Sequence, residues 1–196
     1  TLDPADYLNL GKTIVLANPN APTGLPLKLC DLERILTSNA GTVVIVDEAY
    51  VDFGAESAVQ LIDRYENLLV TQTFSKSRSL AGARVGYAMG NAALIADLNT
   101  IKYSTNPYNV SRLDAAAACA ALDEDAYYME NCRTIAENRA WTTEQLQKLG
   151  FIVTASKSNF VFASTERISG LALYEALKAR GILIRHFEKP RIRAYN

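Results

Sequence analysis

Residues 42–50, TVVIVDEAY, constrain the fold more than any other stretch. Thr42 to Val46 are five β-branched residues in a row, followed at once by two acids. A short unbroken run of this kind predicts a strand buried on both faces, the form that strands take in parallel sheets. KTIVLANP (12–19) is an apolar run closing in Asn-Pro, a strand entering a turn, and NLLVTQTFS (67–75) has the same form. ARVGYAMG (83–90) reads as a further strand. Helical spacing appears in LKLCDLERIL (27–36), AALIADLNTIKY (92–103) and SRLDAAAACAALD (111–123). Strand and helix therefore alternate through the first half, which predicts an α/β fold with a mostly parallel sheet and flanking helices.

A long helical pattern follows from about Asp125 to Leu149, with Gly150 as its C-terminal cap. Beyond it FIVTAS, NFVFAS and ILIRHF read as strands around a helix, GLALYEALKARG. The expected organisation is a larger α/β domain over 1–124 and a smaller α+β domain over 125–196, joined by the long helix. Both ends look cut, so the expected protein is longer than these 196 residues.

Composition narrows the function. Twenty basic and 21 acidic residues offer no basic face by count, which argues against nucleic acid. No apolar run reaches the roughly 18 residues of a membrane span, and the acidic opening TLDPADYLNL is not expected to be a signal peptide. Cys30, Cys119 and Cys132 have no CxxC spacing and suit a reducing compartment as free, buried thiols. A cytoplasmic protein is expected. His186 is the only histidine, so no histidine-based metal site is expected.

Ligands of open α/β sheets sit beyond the carboxyl ends of the strands. Here the strands end in NPNAPTG (18–24), in Asp47 with Tyr50 three residues on, and in Thr73, Ser75 and Lys76, with Arg84 eight residues after the lysine. If the strands are parallel, these clusters share one crevice. Each residue also has an ordinary reading. Asp47 can cap a turn, Tyr50 can be a core aromatic, and Lys76 and Arg84 can be surface charges. Taken together they match one chemistry. A carboxylate can hold a proton on a ring nitrogen, a phenol can donate to a ring oxygen, and a lysine can form an imine with an aldehyde. Hydroxyls and a guanidinium can bind a phosphate. The molecule with all four groups is pyridoxal 5′-phosphate.

NPNAPTG, VIVDEAYVDF (44–53) and TFSKSRSLAGARVGY (73–87), in this order, resemble the class I/II aminotransferases of fold type I. YNVSRLDAAAACAAL (108–122), SNFVFAS (158–164) and GILIRHFEKPRIR (181–193) are similar to the histidinol-phosphate aminotransferases within that family. The resemblance spans the whole chain and implies transamination of histidinol phosphate with 2-oxoglutarate, in histidine biosynthesis, by a homodimer. It implies Lys76 as the Schiff-base lysine, Asp47 at the pyridinium nitrogen and Tyr50 at the ring oxygen. Ala49 then packs on a ring face, and Thr73, Ser75 and Arg84 hold the phosphate. Arg185 resembles a position facing the substrate's anionic group, and Arg78 reads as a surface residue. The family often has an asparagine immediately before PTG; here that position is Ala21, with Asn20 the nearest amide and Asn18 two residues earlier. The resemblance also implies that segments on either side are missing, including a Gly-rich phosphate loop and a C-terminal arginine, so that these 196 residues alone are inactive.

Two other readings share parts of this pattern. A pyridoxal-phosphate decarboxylase of a phosphorylated amino acid uses the same cofactor residues. A non-catalytic doubly wound binding domain would want GxGxxG or GxxxxGK[ST] for a nucleotide, and neither occurs.

Overall fold

The computed structural model describes residues 2–192 and Tyr195. Its main sheet has four strands in the order β1 (Ile14–Ala17), β2 (Val44–Asp47), β3 (Leu68–Thr73) and β4 (Gly86–Gly90). β1, β2 and β3 are parallel, in a register that sets Ala17 beside Asp47 and Asp47 beside Thr71. β4 runs antiparallel to β3 and pairs Gly86 with Thr73. The sheet is thus mostly parallel, with one antiparallel edge.

The core forms where one sheet face meets α1 (Leu29–Ser38). Ile14, Leu16, Val44, Val46, Leu68 and Val70 point to this face, and α1 adds Leu32, Ile35 and Leu36 at helical spacing. Ala58 and Leu61 close the same cluster. Each of these residues is nearly or fully buried, and burying a side chain of this size stabilises by roughly 1.5–3 kcal/mol.

The opposite face departs from the sequence reading. β2 is not buried on both faces: Val44 and Val46 are inaccessible, but Ile45 is half-buried and Asp47 exposed. β1 shows the same alternation, with Val15 66% exposed. No helix among the described residues covers that side of β1 and β2 as α1 covers the other, so the period-2 alternation of the strands becomes visible.

Beyond the sheet, α2 (Ala92–Thr105) and α3 (Arg112–Asp123) lead into α4 (Asp125–Lys148), the long helix expected from the sequence. Gly150 ends it at φ +86°, with its N–H on the Gln147 carbonyl and the Phe151 N–H on the Leu146 carbonyl, a Schellman closure. After α4 come a two-stranded antiparallel ladder, β5 (Ile152–Val153) with β6 (Ala163–Ser164), and α5 (Gly170–Lys178). FIVTAS and NFVFAS therefore form much shorter strands than expected. ILIRHF (182–187) forms none: no described strand lies alongside to pair with it. The thiols also differ from expectation, since Cys30 and Cys119 are exposed and only Cys132 is buried. No helix among the described residues is long and apolar enough to cross a membrane.

Candidate active site

Parallel pairing of β1, β2 and β3 brings their carboxyl ends to one edge of the sheet. Because β4 is antiparallel, its first residues start from the same edge, so Arg84 arrives beside the end of β3. The link is direct. Phe74 N–H donates to the Val85 carbonyl at 3.1 Å, and Thr73 Oγ1 donates to the same carbonyl at 3.3 Å. Gly86 allows this close approach, since a Cβ there would lie 2.8 Å from the Gln72 carbonyl oxygen.

At the end of β3, Thr73 Oγ1 and Ser75 Oγ lie 3.0 Å apart, and the Ser75 N–H donates to Thr73 Oγ1 at 3.1 Å. Two hydroxyls and an amide thus converge as hydrogen-bonding groups. Arg84 adopts the left-handed conformation, φ +57°, and donates to the Ala81 carbonyl at 2.8 Å. The side chain is otherwise exposed.

Lys76 follows on the next turn. Its Nζ lies over the Tyr50 ring, 5.3 Å from the centroid. Tyr50 is held on another side by Phe160, edge-on at 5.3 Å and 86°. The structure therefore brings together Lys76 from after β3 and Tyr50 from after β2. Asp47 lies at the tip of β2, exposed, with Oδ1 accepting the Ala49 N–H at 3.1 Å. The turn-capping reading of Asp47 is present in the structure, yet it leaves the second carboxylate oxygen without a protein partner in the described contacts.

Two predicted residues lie apart from this group. Asn20 uses its amide within its own loop, donating to Thr23 Oγ1 at 2.8 Å. It lines a cavity of about 290 Å³ with Leu2, Tyr7 and Ala17, which none of the other candidates borders. Arg185 stacks over Phe187 at 5.6 Å and borders a largely apolar cavity of about 510 Å³ among Leu146, Leu173 and Leu177. Phe160 also lines that cavity and is the shared neighbour with Tyr50.

Arg78 corrects the sequence reading. It is not a surface residue: its side chain is only 12% exposed, pairs with Asp125 at 2.6 Å and lies over the Tyr128 ring at 5.6 Å. It joins the lysine's loop to the start of α4.

Sequence reasoning missed Glu48, the second acid of the DEAY run. Glu48 is 2% exposed and accepts from Ser57 Oγ at 2.6 Å, Ala58 N–H at 2.6 Å and Gln72 Nε2 at 2.8 Å. Tyr87 Oη extends the chain by donating to Gln72 Oε1 at 2.6 Å. Burial pushes the Glu48 carboxyl above its usual range, against the opposing pull of those hydrogen bonds. The signal was available: period 2 places Glu48 on the core face with Val44 and Val46, and Asp47 on the other. Arg139 was missed as well. From the middle of α4 it donates to the Phe53 carbonyl at 2.9 Å and the Ser158 carbonyl at 2.5 Å, tying both segments that flank the Tyr50–Phe160 pair. Burial lowers its pKa.

The family model described as "Aminotransferase class I and II" matches residues 1–195. The chain belongs to the class I and II aminotransferase family. Among its members, the histidinol-phosphate aminotransferase of Acinetobacter baylyi is 49% identical over 190 residues, covering 97% of this chain and 53% of that protein. The solved histidinol-phosphate aminotransferase of Sinorhizobium meliloti, in complex with pyridoxal-5′-phosphate, superposes with a TM-score of 0.77 at 26% identity, over 93% of this chain and 51% of that one. The L-threonine-O-3-phosphate decarboxylase of Porphyromonas gingivalis shares the fold at a TM-score of 0.79 and 25% identity, over 94% of this chain and 57% of its own. The chain thus spans about half the length of the curated aminotransferases it matches.

Proposed function

We propose that this chain carries the cofactor-holding part of a pyridoxal-phosphate-dependent histidinol-phosphate aminotransferase, working with 2-oxoglutarate as a cytoplasmic homodimer. The observation that carries the reading is the lysine amine over the Tyr50 ring, on the turn that directly follows the paired hydroxyls of Thr73 and Ser75. The 49% identity to a histidinol-phosphate aminotransferase over nearly the whole chain supports histidinol phosphate as amino donor.

The residues present fit the cofactor by the chemistry of their donor set. An exposed amine, a carboxylate with a free oxygen, a phenol, two hydroxyls and a guanidinium stand at one sheet edge. They match an aldehyde, a ring nitrogen, a ring oxygen and a phosphate. When bound, pyridoxal phosphate supplies an aldehyde for amine exchange and a ring that accepts an electron pair. Lys76 supplies the amine that holds the cofactor. With the cofactor bound, the Lys76 Nζ would be the group placed to take up and return the proton at the substrate carbon. Asp47 would hold a proton on the ring nitrogen, where a positive charge favours electron withdrawal. Tyr50 would donate its hydroxyl to the ring oxygen, Ala49 would pack on the ring, and Thr73, Ser75 and Arg84 would hold the phosphate. Arg185 is the candidate for the substrate's anionic group.

The test uses the chain extended to the length of its relatives, supplied with pyridoxal phosphate, histidinol phosphate and 2-oxoglutarate. Glutamate should form without carbon dioxide. Carbon dioxide released from a phosphorylated amino acid, with no glutamate, would replace this reading by the decarboxylase one. The 196 residues alone should show little turnover, because Asp47, Lys76 and Arg84 all stand exposed to water.

A further inference from the structure

Ser77 is only 7% exposed, although Lys76 beside it is exposed. Its hydroxyl donates to Asp52 Oδ2 at 2.5 Å. Asp52 lies in a short 3₁₀ turn, Val51–Phe53, directly after Tyr50. That turn is firmly seated: Val51 and Phe53 are 6% and 1% exposed, and Arg139 donates to the Phe53 carbonyl. On the other side, the lysine's turn is closed by Ser79 N–H on the Lys76 carbonyl at 3.1 Å and Leu80 N–H on the Phe74 carbonyl at 2.9 Å. A lysine side chain is long and flexible, so its amine can be held in one place only if the backbone beneath it is fixed.

We propose that Asp52 and Ser77 are positioning residues: the hydrogen bond between them fixes the Lys76 backbone against the turn that carries Tyr50, and so holds the lysine amine over the Tyr50 ring. Ser77 is the residue directly following the lysine, and Asp52 is two beyond the tyrosine. The bond therefore joins the two turns almost at the reacting groups. Its acceptor is a carboxylate, which strengthens the hydrogen bond. The inference rests on Lys76 being the reacting amine, but its geometry can be read without cofactor.

The experiment labels the protein's lysines by reductive methylation with ¹³C-formaldehyde and reads their methyl resonances by NMR. Loss of one signal in Lys76→Arg assigns Lys76. In the parent this signal should be displaced from the other lysines by the ring current of Tyr50, and Tyr50→Leu should remove the displacement. Ser77→Ala and Asp52→Ala should each collapse the displacement, and the double variant should do no more than either alone. Ser77→Thr and Asp52→Asn, which keep a hydroxyl donor and an oxygen acceptor, should retain it. A merely structural loss would not be restored in this way. Ser77→Cys keeps the volume with a weak donor and serves if the alanine variants do not fold; it too should collapse the displacement. A Lys76 signal unmoved in Ser77→Ala or Ser77→Cys, or never displaced in the parent, overturns the proposal. Borohydride trapping of pyridoxal phosphate on the parent is scored separately. Trapping elsewhere than Lys76 counts against the proposed function, while the methyl signal still decides the positioning role.

Discussion

Glu48→Gln tests how a buried acid one residue from the site is accommodated. Glu48 is 2% exposed, and its pKa is raised chiefly by burial. A carboxyl whose folded pKa exceeds its unfolded value binds more protons in the native state. Its contribution is therefore fully present below the unfolded pKa, near 4.5, and is lost as pH rises through the raised value. Within that window the stability falls by up to about 1.4 kcal/mol per pH unit from this group. Glutamine cannot ionise and removes the slope. Its effect at low pH follows from the hydrogen bonds. The amide oxygen keeps the Ala58 N–H, while the amide nitrogen replaces the oxygen that accepts from Ser57 and Gln72. Ser57 can rotate its hydroxyl to accept. Gln72 can turn its amide over, accept from residue 48 and donate to Tyr87 Oη, reversing the bond now made by that hydroxyl. One reorganised chain with no orphaned group costs about 1 kcal/mol or less. Urea unfolding from pH 4.5 to 8 should show the variant slightly less stable at the acid end, with the difference shifting in the variant's favour as pH rises. A constant difference between the two across that range would refute the reasoning.

Other outcomes follow from the same geometry. Arg139→Met should destabilise by about 3 kcal/mol, because it removes charge-assisted bonds to the Phe53 and Ser158 carbonyls, and should lower the urea midpoint without changing the slope. An unchanged midpoint would show that neither carbonyl depends on it. Gly24→Ala should cost roughly 2–4 kcal/mol, from the left-handed backbone at φ +71° and a Cβ only 2.1 Å from Ser156 Oγ. Ser156→Gly in the same chain should recover part of that loss in thermal unfolding, and no recovery would place the whole cost in the backbone.

The strand-end clusters were legible in the sequence because β-branched runs and helical spacing are local signals. Once β1, β2 and β3 are parallel, Asn18, Asp47 and Thr73 must emerge at one edge. The resemblance of the motifs then carried the family. What was not legible depends on contacts between distant segments. Arg78 looks like any charged loop residue until Asp125 and Tyr128 fold against it. Arg139 sits in a polar helix whose pattern gives no hint of two carbonyls waiting across it. Glu48 was within reach of simple alternation, but its neighbour Asp47 drew the chemical argument. ILIRHF has strand composition, yet composition cannot supply a pairing partner, and none lies beside it among the described residues. The full burial expected for β2 failed for a related reason: five β-branched residues specify a strand, while burial of the second face depends on what lies over it.

The proposed function stands or falls with Lys76 as the amine that holds the cofactor. The most direct test adds pyridoxal phosphate, reduces with borohydride and maps the modified peptide by mass spectrometry. The label should fall on Lys76, in the stretch TFSKSR, and be lost in Lys76→Ala. A label on any other lysine, persisting at full yield in Lys76→Ala, would contradict it.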